Sequence, residues 1–249
     1  MSAKEQNLME TLEEALEAIS ELRLDSAVVH CITNTVAQNF TANILLSAGA
    51  TPSMTVAPDE VEFFSARSDA VLINLGTMDE LRKQAIRKSM GVCRVEEKPF
   101  VLDPVMCHIS PPRLELAQEV IAAAPGIIRL NGAEAEMLST LFDNEASAVA
   151  ISGKEDVLRF GRSEITIANG HPYLSKVTAV GCAQGALMAG LLAKTNNKMA
   201  AALGAFCWVG IAGEVAAEQC SGVGSFQAAL IDQIQNIQMD QLKTKARLS

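Results

Sequence analysis

The chain contains no Cys-x-x-Cys pair and only three histidines, His30, His108 and His171, in 249 residues. That scarcity argues against a structural zinc site and against a metal cluster built on imidazoles. The six cysteines, Cys31, Cys93, Cys107, Cys182, Cys207 and Cys220, are scattered and read as free thiols in a reducing compartment. Basic residues are in deficit, with 20 Lys and Arg against 29 Asp and Glu and a net charge of −9. A nucleic-acid surface needs clustered Lys and Arg, so that partner is not expected, and any bound phosphate must be held by local groups. No Pro/Ser/Gly-rich linker, charge block, fixed-period repeat or low-complexity segment divides the chain. With 49% hydrophobic residues it can bury a large core, and residues 1–249 are expected to form one domain. The first seven residues lack the apolar core of a signal peptide and lead into an acidic amphipathic helix, which predicts a cytoplasmic location. The apolar run 199–213 meets Glu214 before reaching the roughly 20 residues that span a bilayer, so a buried core or interface helix is expected, without membrane contact.

What is present is an alternation of short apolar runs with helical spacing. Leu8, Leu12, Leu16 and Ile19 recur on one face of a first helix. Residues 27–32, 71–74, 100–103, 127–129, 148–152 and 165–168 read as strands, and 52–56 as extended. Helices are expected at 34–48, 79–90, 112–124 and 133–141, with Pro58-Asp59-Glu60 starting another. Continuous apolar strands separated by helices predict an α/β fold with a largely parallel sheet covered on both faces. Phe160-Gly161-Arg162-Ser163 has the composition of a hairpin turn, which predicts an antiparallel edge. Beyond Cys182 the pattern is helical throughout.

The junction at 176–182 is the most informative stretch. A strand-like run ends in Gly181-Cys182 and opens into a helix of small residues from Ala183. Helix N-termini carry unpaired N–H groups and a positive dipole end, so such a junction attracts phosphate where small residues leave the backbone open. Taken singly, each residue also has an ordinary structural role. Cys182 serves as a small buried hydrophobe, Asp103 as a turn former before Pro104, Asn34 as a helix cap and Met54 as core filler. Glu134 with Arg129 reads as a solvated pair, and His30 as a satisfied strand histidine.

Position raises the chemical reading. Ligands of parallel sheets collect beyond the carboxyl ends of strands. Asp103, Asn131, Glu134, Ser152-Gly153 and Gly181-Cys182 all follow apolar runs, a set suited to holding a metal–nucleotide. Together with His30-Cys31-Ile32-Thr33-Asn34, Asn39-Phe40-Thr41-Ala42-Asn43, Gly49-Ala50-Thr51-Pro52-Ser53-Met54 and Leu102-Asp103-Pro104-Val105, these residues resemble the hydroxyethylthiazole kinase family over nearly the whole chain.

The resemblance implies a ribokinase-like three-layer fold, usually assembled as a homotrimer, that phosphorylates the hydroxyethyl group of a thiazole alcohol with ATP and Mg²⁺ in thiamine salvage. It places substrate at Asn34, Met54, Ala179 and Gly181, nucleotide at Arg129, Asn131 and Ser152, and metal at Asp103 and Glu134. Cys182 falls where most ribokinase relatives carry an aspartate base. A helix N-terminus lowers the pKa of such a thiol while ATP phosphates raise it, so the sequence leaves the net sign open. A thiol that only orients the alcohol predicts that Cys182→Ser keeps binding but changes turnover.

The chain departs from the family on the nucleotide side. Ala179 replaces the first glycine of Gly-x-Gly-Cys, Leu130 replaces the glycine of Arg-Gly-Asn, and Met106-Cys107-His108-Ile109 replaces a glycine-ended loop. The connection 138–148 is shortened by about one helix, so helix 133–141 must serve alone as the crossover between parallel strands or a segment is missing. Two readings besides the thiazole kinase therefore stay open: a kinase for another small vitamin-precursor alcohol, and a thiazole-binding homologue with impaired phosphoryl transfer. A Cys182–His171 thiol hydrolase lacks a third group.

Overall fold

The computed structural model describes residues 3–142 and 146–249. Eight strands form one sheet in the order β2-β1-β3-β4-β5-β6-β7-β8. They are β1 (Val28–Ile32), β2 (Thr51–Ser53), β3 (Ala70–Asn74), β4 (Phe100–Asp103), β5 (Ile127–Asn131), β6 (Ala148–Ser152), β7 (Asp156–Phe160) and β8 (Ser163–Ile167). The first six run parallel. The last two are antiparallel and turn at Gly161, so the expected hairpin edge is present.

Side chains alternate across each strand, which divides the apolar residues between two layers. Val29, Cys31, Leu72, Val101, Ile127 and Ala150 face one core. That core is covered by α1 (Ala3–Leu24), α2 (Gln38–Ser47), α7 (Val180–Leu192), α8 (Lys198–Gln219), α9 (Val223–Asn236) and α10 (Met239–Lys245). Ile32, Val71, Ile73, Leu102, Ile128 and Val149 face the other. It is covered by α3 (Val61–Arg67), α4 (Glu80–Val95), α5 (Pro111–Ala122) and α6 (Gly132–Leu138). The result is the three-layer arrangement expected for a sheet buried on both sides. Leu130 lies fully buried in the second core, so the side chain that replaces a family glycine is absorbed below the sheet end.

The order reverses between β1 and β3, because the chain leaves β1 toward β2 on one side and returns to β3 on the other. A crevice opens at such a switch beyond the carboxyl ends. The short connection after β5 does make a parallel crossover. Helix α6 and a 3₁₀ turn at Ser139–Leu141 carry the chain to β6, which pairs with β5 from Ile127↔Ala148 to Asn131↔Ser152. Within that connection, residues 143–145 lie outside the described residues, as do Met1 and Ser2 of the leader reading.

Two expectations are corrected. Residues 176–182 are not a strand: Pro172–Lys176 forms a 3₁₀ helix with Pro at its start, and α7 begins at Val180. The outer edge of β8 is already taken by the C-terminus, through an Ile167↔Leu248 bridge and paired Thr166–Ser249 bonds, so the run finds no sheet edge beside β8. Nor does Glu214 end the apolar helix. Its carboxylate is neutralised by Arg247 and accepts the Gly170 N–H, and α8 continues to Gln219. By length and composition α8 could cross a membrane, yet 89% of its most apolar window is buried in the core. It is the expected core helix.

Candidate active site

Five strands deliver polar groups to one end of the sheet. Asn34 lies two residues past β1, while Asn74, Asp103, Asn131 and Ser152 are the last residues of β3, β4, β5 and β6. Register sets them side by side, with Asn74 opposite Asp103 and Asn131 opposite Ser152. Asn34, Asn74, Asp103 and Glu134 are all buried. Asn34 is not the cap of α2, whose N-cap position is Ala37 without a side-chain bond; its Oδ1 instead accepts the Ala37 N–H at 3.0 Å in the turn before that helix.

Asp103 is the electrostatic centre. Burial pushes its carboxyl up to about 6, against the pull of Arg129 and with added repulsion from Glu134. Oδ2 accepts from Asn74 at 2.7 Å, whereas buried Oδ1 has no hydrogen-bond partner and lies 3.8 Å from Arg129 Nη1. Arg129 Nη2 donates to Ser152 Oγ at 2.8 Å and to Gln184 Oε1 at 3.4 Å. Arg129 and Glu134 are therefore not a solvated pair: the arginine pairs with Asp103.

Glu134 closes the other side. Its Oε1 accepts from Met106 N at 2.7 Å and its Oε2 from Asn131 N at 2.8 Å, while Asn131 Oδ1 accepts the Glu134 N–H. This reciprocal capping box starts α6 and ties the loop after Asp103 to it. The spacing of Asn131 and Glu134, three residues apart, thus has a structural basis, and each Glu134 oxygen keeps a lone pair. Among the described residues no three His, Cys, Asp or Glu side chains form a cage. The donor set fits Mg²⁺ nonetheless, because that ion takes one or two carboxylates and completes its shell with water and phosphate. The unpartnered Asp103 oxygen, with Glu134 near enough to repel it, is such a pair.

Helix α7 points its N-terminus at this cluster. Gly181 leaves room there: a Cβ would sit 2.6 Å from Arg129 Nη2, so a side chain at this position would push the guanidinium out of its present place. Ala179 holds the N-cap position at φ 71°, the left-handed region, and supplies no side-chain cap. An L-residue there costs about 1 kcal/mol relative to glycine. Met106, in the loop that also lacks the family's glycine ending, is likewise left-handed at φ 59°.

Cys182 is brought to the centre. Asn34 Nδ2 approaches its Sγ at 3.5 Å, and the thiol lies within electrostatic reach of the Asp103 carboxylate. Burial, and then the charge of Asp103, push the thiol up to about 12. The question left open by the sequence is thereby answered, because Cys182 is a neutral thiol at ordinary pH.

Met54 stands just beyond β2 on the other side of β1, half-buried against the core. His30 makes one bond, Nδ1 to Ser53 Oγ at 2.9 Å, but its buried Nε2 has no partner, so it is only half satisfied. His171 packs on Tyr173 and Phe226 and takes the Tyr173 N–H, which leaves it a local helix-start role rather than that of a base. Sequence reasoning missed Asn74 and Gln184. Asn74 follows the apolar run Val71-Leu72-Ile73 just as Asp103 follows its own strand, so the same rule would have found it. Gln184 is a lone polar residue in the apolar first turns of α7. Neither of two hollows, of about 450 and 410 Å³, includes any of these site residues.

A parallel sheet with this order, carboxylates at its strand ends and a small-residue helix aimed at them define a ribokinase-like α/β protein. A ribokinase-like superfamily protein from Enterococcus faecalis shares the fold at a TM-score of 0.60 and 12% identity, covering 84% of this chain and 86% of that one. The profile of the hydroxyethylthiazole kinase family matches residues 19–146 and 136–240. A probable hydroxyethylthiazole kinase of Agrobacterium fabrum is 36% identical over 96% of each chain. A hydroxyethylthiazole kinase of Granulibacter bethesdensis is 35% identical over 94% of each. The solved hydroxyethylthiazole kinase structure from Pyrococcus horikoshii superposes at a TM-score of 0.88 with 32% identity, covering 95% of this chain and 98% of that one. The chain belongs to the hydroxyethylthiazole kinase family.

Proposed function

We propose that the protein transfers the γ-phosphoryl group of ATP to the hydroxyl of 4-methyl-5-(2-hydroxyethyl)thiazole, with Mg²⁺, in thiamine salvage. Its carrying observation is the buried Asp103 carboxylate, whose free Oδ1 faces Arg129 at the mouth of α7. Asn34, Met54, Ala179 and Gly181 hold the alcohol in the crevice where the strand order reverses. Arg129, Asn131 and Ser152 hold the nucleotide, with Arg129 positioned to follow negative charge onto the transferring group. Asp103 and Glu134 hold Mg²⁺, which neutralises phosphate charge when bound. Cys182, being a neutral thiol, orients the hydroxyl and does not abstract its proton. That role suffices for a loose transition state, in which the alcohol proton leaves late and passes to an oxygen of the arriving phosphoryl group.

The whole chain is read as one domain working in the cytoplasm, with neither nucleic acid nor membrane as partner. A homo-oligomer, a trimer by family resemblance, is supported by the exposed apolar side chains of Val36, Leu46, Phe63 and Phe64, and light scattering tests it. A second reading, thiazole binding with impaired transfer, is favoured by Ala179 in a glycine conformation at the anion end of α7. Calorimetric titration with the thiazole alcohol, paired with ADP release from a panel of vitamin-precursor alcohols, separates these readings. The kinase reading expects thiazole-dependent ADP release well above that of any other alcohol. Tight thiazole binding without ADP release supports the binding protein, and preference for another alcohol overturns the substrate.

A further inference from the structure

Asn74 is fully buried at the end of β3 and stands between the two halves of the site. The orientation of its amide is fixed by groups that cannot reverse. Gly76 N–H donates to Asn74 Oδ1 at 3.0 Å, so that atom is the oxygen and Nδ2 is the donor. Nδ2 then donates a hydrogen bond to Asp103 Oδ2 at 2.7 Å. On the opposite side Ala37 N–H fixes Asn34 in the same way, leaving Asn34 Nδ2 to donate to Asn74 Oδ1 at 3.2 Å and to approach Cys182 Sγ at 3.5 Å. Space enforces the arrangement as well. A Cβ on Gly76 would lie 2.8 Å from Asn34 Nδ2 and 3.0 Å from Asn74 Oδ1.

We infer that Asn74 is a positioning residue for phosphoryl transfer, a one-way amide relay that aims Asp103 Oδ1 at the metal and phosphate side while holding Asn34 against the alcohol. The chemistry follows from valence. By occupying Oδ2, Asn74 leaves Oδ1 as the carboxylate oxygen without a hydrogen-bond partner. By accepting from Asn34, it turns that amide so that Nδ2 also reaches Cys182. The inference rests on the kinase reading above, and its test separates the two.

Asn74→Asp keeps an oxygen for Gly76 and Asn34 but removes the donor to Asp103 and sets a second carboxylate beside it. Asn74→Ala removes both arms. With hydroxyethylthiazole and MgATP, Asn74→Asp is expected to lower kcat at least about tenfold with KM for the thiazole changed less than about twofold. Asn74→Ala is expected to lower kcat similarly and also raise that KM about fivefold or more. Equal kinetic changes in the two variants, or none, overturn the relay. Absence of product from the wild-type enzyme instead sinks the kinase reading. Should either variant fail to fold, wild-type protein carrying ¹⁵N in its asparagine side chains decides the matter. The Asn74 Nδ2 resonance is expected to move on adding Mg²⁺ alone and on adding the thiazole alone, and a resonance moved by neither contradicts the proposal.

Discussion

The two halves of the site are held differently. On the alcohol side, the Asn34 and Asn74 amides are each anchored by a backbone N–H, from Ala37 and Gly76, and each uses its remaining donor within the site. On the phosphate side, Asp103 Oδ1 and Arg129 Nε are buried without partners; left-handed non-glycine backbone occurs on both sides, at Met106, at Ala179 where α7 faces both halves, and at Thr77 beside Gly76. The alcohol side is thus organised by its own hydrogen bonds. Unpartnered buried atoms occur on both sides, His30 Nε2 and Thr33 Oγ1 among them, but only the phosphate side leaves them on a charged pair, Asp103 and Arg129, that a bound cation and anion would complete. This contrast matches the sequence, whose departures from the family all fall on the phosphate side.

The sharpest way to break the contrast is Asp103→Ala. Removing the buried carboxylate is expected to lower kcat about 10²–10³-fold, as loss of a preorganised charged group does, with thiazole affinity by calorimetry little changed. A loss of thiazole binding to match would show that the halves are not separable.

The next effect concerns stability on the alcohol side. Burial lowers the His30 imidazole to about 4 from its ordinary 6.5. The unfolded chain therefore binds a proton that the folded chain refuses between those values, and folding stability falls as pH drops from about 6.5 to 4. The size is about 3 kcal/mol across that window. Asp156 and Asp103, both pushed up to about 6 by burial, act in the opposite sense over an overlapping range. His30→Asn is expected to remove the imidazole contribution, so on going from pH 7 to pH 5 the variant's stability by chemical denaturation should rise relative to the wild type's by about 2 kcal/mol. An unchanged difference contradicts a buried neutral histidine.

Arg129→Met sharpens the phosphate half. It is expected to raise KM for ATP about 10–100-fold, the worth of a charge-assisted contact, and to leave thiazole binding intact. The smallest effect belongs to Ala179→Gly. Relief of the left-handed alanine is expected to stabilise the protein by up to about 1 kcal/mol, visible in thermal unfolding, and to lower rather than raise KM for ATP.

How much of this was legible in the sequence depends on what each element packs against. Strands such as Val71-Leu72-Ile73 and Phe100-Val101-Leu102 are apolar because both faces are covered, so a local run revealed them and the polar residue at each end marked the site. The run 176–182 has the same apolar look but finds no free edge, since the C-terminus already pairs with β8. Strand formation there was prevented by a competitor for that edge, Leu248 and Ser249 at the far end of the chain, which no local pattern records. Helix α4 runs past its expected end at Met90 to Val95 because buried Cys93 continues its inner face. Arg129 and Glu134 looked like a surface pair for a similar reason. Their true partners, Asp103 for one and the Met106 and Asn131 amides for the other, are brought together only by strand register and the capping box. The protonation of Cys182 was equally beyond the sequence, because burial and the charge of Asp103, which the fold brings to it, outweigh the pull of Asn74, Arg129 and Asn34.

The account turns on transfer of phosphate to carbon-bound oxygen at the mouth of α7. Phosphorus NMR of the wild-type protein incubated with MgATP and 4-methyl-5-(2-hydroxyethyl)thiazole tests it directly. A phosphate monoester resonance growing in step with ADP is the predicted result. ATP left intact, or ADP formed with inorganic phosphate and no ester while the thiazole is bound, would contradict it.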